Sequence, residues 1–178
     1  MIFSLFRNKK TNRAILERQY AALTATARIP YFYSDLGVPD TVMGRFEMLS
    51  VVLILFFRRT ASAMTSGQEL AQAVVDAFFE DVDHSIRELG VGDTGVPKRM
   101  KKFAGMFYGR LESYAAALEA RDVESLSSAL KRNIHPGRED APVMTGLAEW
   151  MIEAEKNLAA VSEDMIATGS VVLPVPGQ

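Results

Sequence analysis

The sequence predicts an all-α protein, an irregular single-domain bundle of about six helices. Apolar residues recur at spacings of three and four along most of the chain and almost nowhere alternate as in a strand. Proline and glycine cluster where one periodic stretch gives way to the next. With 178 residues, 48% of them hydrophobic, the chain has one domain's length and ample material for a core.

Thr11 or Asn12 is placed to cap a first helix reaching Ala27, with Ile15, Leu16, Tyr20 and Leu23 on one stripe. Ile29-Pro30 ends it, since the residue before proline is pushed out of the helical region. An aromatic connector, Tyr31-Phe32-Tyr33, leads to Gly37-Val38-Pro39-Asp40, where Asp40 or Thr41 suits an N-cap. The second helix runs from Val42 to Thr60 and is apolar almost all round from Met48, the mark of a helix enclosed by others. Thr65-Ser66-Gly67 breaks the chain, and Ser66 with Glu69 resembles a capping box. The third helix carries Leu70, Val74, Phe78, Val82 and Ile86 to Leu89, with Gly90 at a C-terminal cap. Pro97 opens a fourth, to Ala120, striped by Met100, Phe103, Phe107, Leu111, Tyr114 and Leu118. Asp122 caps a short fifth helix. After the loop His135 to Pro142, a last helix is expected over roughly Val143 to Thr168. The organisation is therefore a basic and apolar N-terminal arm (1–13), a helical domain (14–168) and a flexible C-terminal tail (169–178).

The net charge is −2, so the chain as a whole does not attract DNA, and an electrostatic partner must be read by a local patch. There is no cysteine, which removes disulfides, thiolate zinc sites and cysteine nucleophiles together. The N-terminus places its apolar hexapeptide before Arg7, Lys9, Lys10 and Arg13, the reverse of a secretory signal. Met48 to Phe57 is about ten residues, short of the ~20 that span a bilayer. These features predict a soluble, cytoplasmic protein.

Gly90-Val91-Gly92-Asp93-Thr94-Gly95 matches the dinucleotide fingerprint GxGxxG. That fingerprint works only between a strand and a helix, and here a long amphipathic helix precedes it, so a helix–helix turn is expected. Asp76, Glu80, Asp81, Asp83 and His84 place carboxylates and an imidazole on one helix, but no second Glu-x-x-His answers them, which favours a solvated acidic face. No nucleophile elbow or triad pattern is present. No metal and no cofactor is expected. The run Lys98, Arg99, Lys101, Lys102 and Arg110 meets no acid until Glu112. Lys98, Lys101 and Lys102 share one helix face, suited to an acidic client, anionic headgroups or RNA. The N-terminal arm offers a further peripheral membrane contact.

The motifs Val38-Pro39-Asp40-Thr41, Gly44-Arg45-Phe46-Glu47, Phe78-Phe79-Glu80-Asp81-Val82-Asp83, Arg87-Glu88-Leu89-Gly90-Val91-Gly92-Asp93, Val96-Pro97-Lys98, Phe107-Tyr108-Gly109-Arg110 and Arg132-Asn133 occur in that order. Their succession resembles the ubiquinol–cytochrome c chaperone family, and Arg87 to Lys98 looks like its bacterial branch. The resemblance covers roughly residues 31–135. It implies an assembly chaperone of the cytochrome bc1 complex, with newly made cytochrome b as client. Mitochondrial relatives add a small partner subunit and ribosome contact. It implies no catalytic residues, and a place in the cytoplasm peripheral to the inner membrane.

Joined to the residues, the resemblance assigns Lys98, Lys101, Lys102, Tyr108 and Arg110 to the border of a client groove. Asp40, Arg45, Asp81, Arg87 and Asp93, all within the shared motifs, are expected to form a polar network orienting the helices. The rival reading is a helical protein enclosing a lipid or quinone-like ligand. An apolar internal pocket with convergent polar groups favours the rival, and a surface groove rimmed by Lys98 and Arg110 favours the chaperone.

Overall fold

The computed structural model describes residues 2–177, with side chains from Lys10 onward. Its helices are α1 (Ile2–Ala27), α2 (Tyr31–Ser34), α3 (Val42–Thr60), α4 (Thr65–Glu88), α5 (Val96–Ala120), α6 (Val123–Ile134), α7 (Thr145–Ala159) and α8 (Glu163–Ala167). No strand occurs among the described residues. Six helices are long and two are single turns, which agrees with the bundle expected from the periodicity.

The apolar helix α3 is the axis of the fold. Met48 and Val51 to Phe56 are fully buried, because α3 touches α1, α4, α5, α6 and α7. Its start is fixed by the Thr41 hydroxyl, which accepts the Gly44 N–H at 3.0 Å. Gly44 is required for a second reason: a Cβ there would lie 1.8 Å from the Pro39 carbonyl oxygen.

The Gly90 segment is a helix–helix turn. Gly90 has φ +80°, its N–H donates to Arg87 O, and the Val91 N–H reaches back to Ile86 O. This Schellman pattern ends α4, and Pro97 sits in the first turn of α5. The two helices form a hairpin sealed by Phe78 against Phe107, centroids 5.4 Å apart. Asp122 caps α6 by accepting the Ser125 N–H at 3.0 Å.

Five expectations change. α1 runs unbroken from Ile2, so no cap forms at Thr11 or Asn12; the side chains of residues 1–9, including Arg7 and Lys9, lie outside the described residues. Tyr31-Phe32-Tyr33 closes into a helical turn because Phe32 is buried edge-on against Trp150, centroids 4.7 Å apart. The capping box at Ser66 is absent: α4 begins at Thr65, and the Met64 N–H donates instead to Glu163, a partner remote in sequence. The last helix is two: α7 ends at Ala159, and Ser162 caps α8 by accepting the Met165 N–H. Finally, the tail is packed rather than loose. Val171 and Leu173 are buried, the Gln19 side-chain amide pairs with both the N–H and the C=O of Val171, and Trp150 Nε1 donates to Pro174 O. A side chain that matches a peptide group atom for atom supplies what a second strand would.

Candidate functional site

At one end of the bundle α1 finishes, α3 begins and α4 finishes. The diverging ends leave a groove of about 480 Å³. Phe46, Leu49, Phe78, Val82, Ile86 and Phe103 give it an apolar lining, and Arg28, Tyr33, Arg45, Asp81 and His84 supply its polar groups. Val42 and Leu89 on its walls are 62% and 63% exposed. Apolar side chains left so open at a concavity mark a place where another molecule is held.

Polar groups around the groove are fixed by local partners. Arg45 pairs with Asp40 at 2.8 Å, and the Tyr33 hydroxyl donates to Ala27 O at 2.7 Å. The Tyr20 hydroxyl donates to Asp81 at 2.8 Å, tying α1 to α4; burial and the adjacent carboxylate push that phenol's pKa up. Arg87 pairs with Asp83 at 2.7 Å and also with Asp93, bracing the end of α4 against the turn. His84 reaches only Glu88, and no group of metal ligands occurs among the described residues.

The network expected of Asp40, Arg45, Asp81, Arg87 and Asp93 does not form as one: these residues fall into three separate pairings, each on exposed or half-exposed side chains. The charge pair that is buried lies elsewhere. Arg110 donates two hydrogen bonds, 2.7 and 3.0 Å, to Glu47, whose side chain is 3% exposed. Burial pushes the Glu47 carboxyl above its ordinary range even though Arg110 opposes that shift. Beside the pair, the Tyr114 hydroxyl accepts from Asn133, and its pKa is raised by burial and by the Glu47 charge.

Arg110 is therefore removed from the client surface assigned to it. It follows Phe103 and Phe107 and precedes Tyr114 on the inward stripe of α5, which is why it turns to Glu47 instead of solvent. Lys98, Lys101, Lys102 and Tyr108 are exposed on the opposite face. None of them lines the groove, but Phe103, one residue past Lys102, does. Sequence reasoning missed Glu47, Tyr20, Arg28 and Leu49. The signal for Glu47 was present: it is the one carboxylate of α3, next to the stretch from Met48 that is apolar almost all round, and α5 offers a cation on its core stripe.

A second depression of about 440 Å³ lies between α3 and α7, where Arg58 pairs with Glu155 at 2.5 Å and Arg59 with Glu163 at 3.0 Å. Its arginines are already engaged, Arg59 also donating to Leu158 O and Val161 O.

The groove of about 480 Å³, lined mainly by apolar side chains, is the kind of concavity a helical binding protein presents. Residues 34–173 match the family described as Ubiquinol-cytochrome C chaperone, and the chain belongs to that family. It is similar to the mitochondrial protein CBP3 of Saccharomyces cerevisiae, 26% identical over 167 residues, which cover 91% of this chain and 49% of that protein. The chain thus spans about half the length of that relative. The Ubiquinol-cytochrome-c reductase complex assembly factor 1 of Xenopus laevis is 24% identical over 149 residues, covering 82% of this chain and 74% of that one. The crystal structure of the Cbp3 homolog from Brucella abortus superposes with a TM-score of 0.89 at 46% identity, covering 98% of this chain and 97% of that one.

Proposed function

We propose that this protein is an assembly chaperone for ubiquinol–cytochrome c reductase, which holds newly made cytochrome b and performs no chemistry of its own. Family membership and the assembly role in a relative's name support the class of function. The observation that carries the mechanism is the open apolar groove. An unassembled membrane-protein client exposes apolar side chains to water, and a groove floored by Phe46, Leu49, Phe78 and Phe103 offers apolar surface to cover them. Lys98, Lys101, Lys102 and Tyr108 lie on the outer face of α5, across that helix from the groove-lining Phe103. The working place is the cytoplasmic surface of the inner membrane. Among the described residues no helix is long and apolar enough to cross a membrane. A small partner subunit or the ribosome would bind outside the groove.

Complementation tests this. Removing the protein lowers the haem b signal and the assembled complex, and the unaltered chain restores both. Val42→Asp with Leu89→Asp puts charge at the groove mouth on side chains that are mostly exposed, so folding survives while restoration fails. Full restoration by that variant rejects the groove as the client site. An undiminished complex in cells lacking the protein rejects the function.

A second reading is favoured by the convergence of Arg28, Tyr33, Arg45 and His84 on the same apolar space: a lipid- or quinone-like ligand. Organic extraction of the purified protein separates the two, because only this reading predicts a stoichiometric small molecule.

A further inference from the structure

One face of α5 is turned to solvent among the described residues. Lys98, Lys101, Lys102, Gly105 and Tyr108 fall on one side of the helix at steps of three and four, and all are exposed. Neither these lysines nor Arg99 has a hydrogen bond or ion pair among the described residues, although most other cations near this end of the bundle do: Arg45 with Asp40, Arg87 with Asp83, Arg110 with Glu47. Uncompensated cations crowded on one helix repel one another and cost stability unless something anionic is met there. Tyr108, 52% exposed, leans on Phe79 with centroids 6.4 Å apart, so an aromatic ring with a polar tip stands beside the lysines.

We propose that this face of α5 rests on an anionic lipid bilayer, with Lys98, Lys101 and Lys102 among the headgroups and Tyr108 at the interface. Three features favour lipid over an acidic protein. The face is a single convex helix without a concavity to match a partner's side chains. The cations on it are lysines, point charges that need no fixed counter-geometry, whereas arginine forks suit defined carboxylates. The aromatic neighbour is the residue type that settles at the headgroup level. Gly105 leaves the surface low between lysines and tyrosine, with no atom within 4 Å of the space a side chain would fill.

Phe103 lines the groove from the inward side of α5, so a bilayer met by the lysines lies across the thickness of that one helix, about 10 Å, from the groove. The proposal deepens the chaperone reading and rests on it for its purpose, since it sets the groove where a membrane-embedded client emerges. It also moves the membrane contact away from the N-terminal arm. Arg13 precedes the groove-lining Thr24 by about three turns of α1, roughly 16 Å along the axis.

Flotation with vesicles of phosphatidylcholine containing about one-third phosphatidylglycerol tests it without any client. The full chain is expected to float with these vesicles, to remain behind with pure phosphatidylcholine, and to be released when salt rises to about 0.5 M. Each lysine near an anionic surface is worth about fivefold in partitioning, so Lys98→Gln, Lys101→Gln and Lys102→Gln together weaken binding about a hundredfold. Circular dichroism stays unchanged because these side chains touch nothing in the fold. Tyr108→Ala weakens binding severalfold and leaves its salt dependence intact. Two results overturn the proposal. One is no binding of the unaltered chain to anionic vesicles, which points to an acidic protein instead. The other is binding that survives the triple change and is lost on Lys10→Gln with Arg13→Gln. Either leaves the complementation result at Val42 and Leu89 standing on its own.

Discussion

Replacing Arg110 by methionine removes both hydrogen-bond donors from the Glu47 carboxylate, which has almost no access to water. Breaking a buried pair from one side costs ~3–5 kcal/mol, because the stranded charge keeps its desolvation penalty. Arg110 is itself 15% exposed, so part of the attraction was already screened, and the lower end, about 3 kcal/mol at neutral pH, is expected. The loss depends on pH in a defined direction. Glu47 already has a raised pKa in the folded protein, chiefly from burial, and Arg110 is what holds it down. A carboxyl whose folded pKa exceeds its unfolded value binds more protons when folded, so its contribution to stability falls as pH rises from the unfolded value of about 4.3 through the folded one. Without Arg110 the folded value climbs further, and the variant loses more at pH 8 than at pH 5. Adding Glu47→Leu removes the stranded charge and brings stability back to within about 1 kcal/mol of the unaltered protein. Urea unfolding followed by circular dichroism at both pH values measures the unaltered protein, Arg110→Met, Glu47→Leu alone and the double variant. Equal losses at pH 5 and pH 8, or single-variant costs that simply add in the double variant, would refute the reasoning.

Three other variants, carrying four substitutions between them, probe how the fold is held. Gly44→Ala drives a methyl into the Pro39 carbonyl and should cost about 3 kcal/mol in unfolding free energy, the high end of overpacking. Gln19→Leu strips the partners from both the N–H and the C=O of Val171; hydrogen exchange at Val171 should accelerate, with about 2–3 kcal/mol lost overall. If exchange there is unchanged, the tail is held by other contacts. Gly105→Ala with Gly109→Ala should stabilise the protein by about 1 kcal/mol per site in thermal or urea melts, because both glycines lie inside α5 and a methyl at either meets no atom within 4 Å. A loss of stability instead would mean that α5 has closer neighbours than the structure places there.

Most of the fold was legible because it is local. Helical period, the Thr41 and Asp122 caps and the Gly90 turn are written in short windows of sequence, and the structure realises each. What was not legible is set by partners far apart in the chain. Glu163 satisfies the Met64 N–H in place of the expected capping box at Ser66 and Glu69, a contact no window of sequence contains. Gln19 binds Val171 across 152 residues, which turns an apparently loose proline- and glycine-rich tail into a strap over α1. At the site, Arg45 with Asp40 and Arg87 with Asp83 are pairings within a few residues of sequence, whereas the bond of Tyr20 to Asp81 depends on α1 meeting α4. Arg110 looked like one more cation in a basic run, and its place on the inward stripe decided its role. The groove itself is a property of three diverging helix ends and has no linear signature.

Photocrosslinking in respiring cells tests the central claim most directly. A photoreactive residue at Leu49, in the groove lining, should capture cytochrome b, while one at Glu124, exposed at the start of α6, should not. Cytochrome b captured only from Leu49 is the result expected of a chaperone whose groove holds this client. Its absence from both positions, or equal capture at both, would contradict that account.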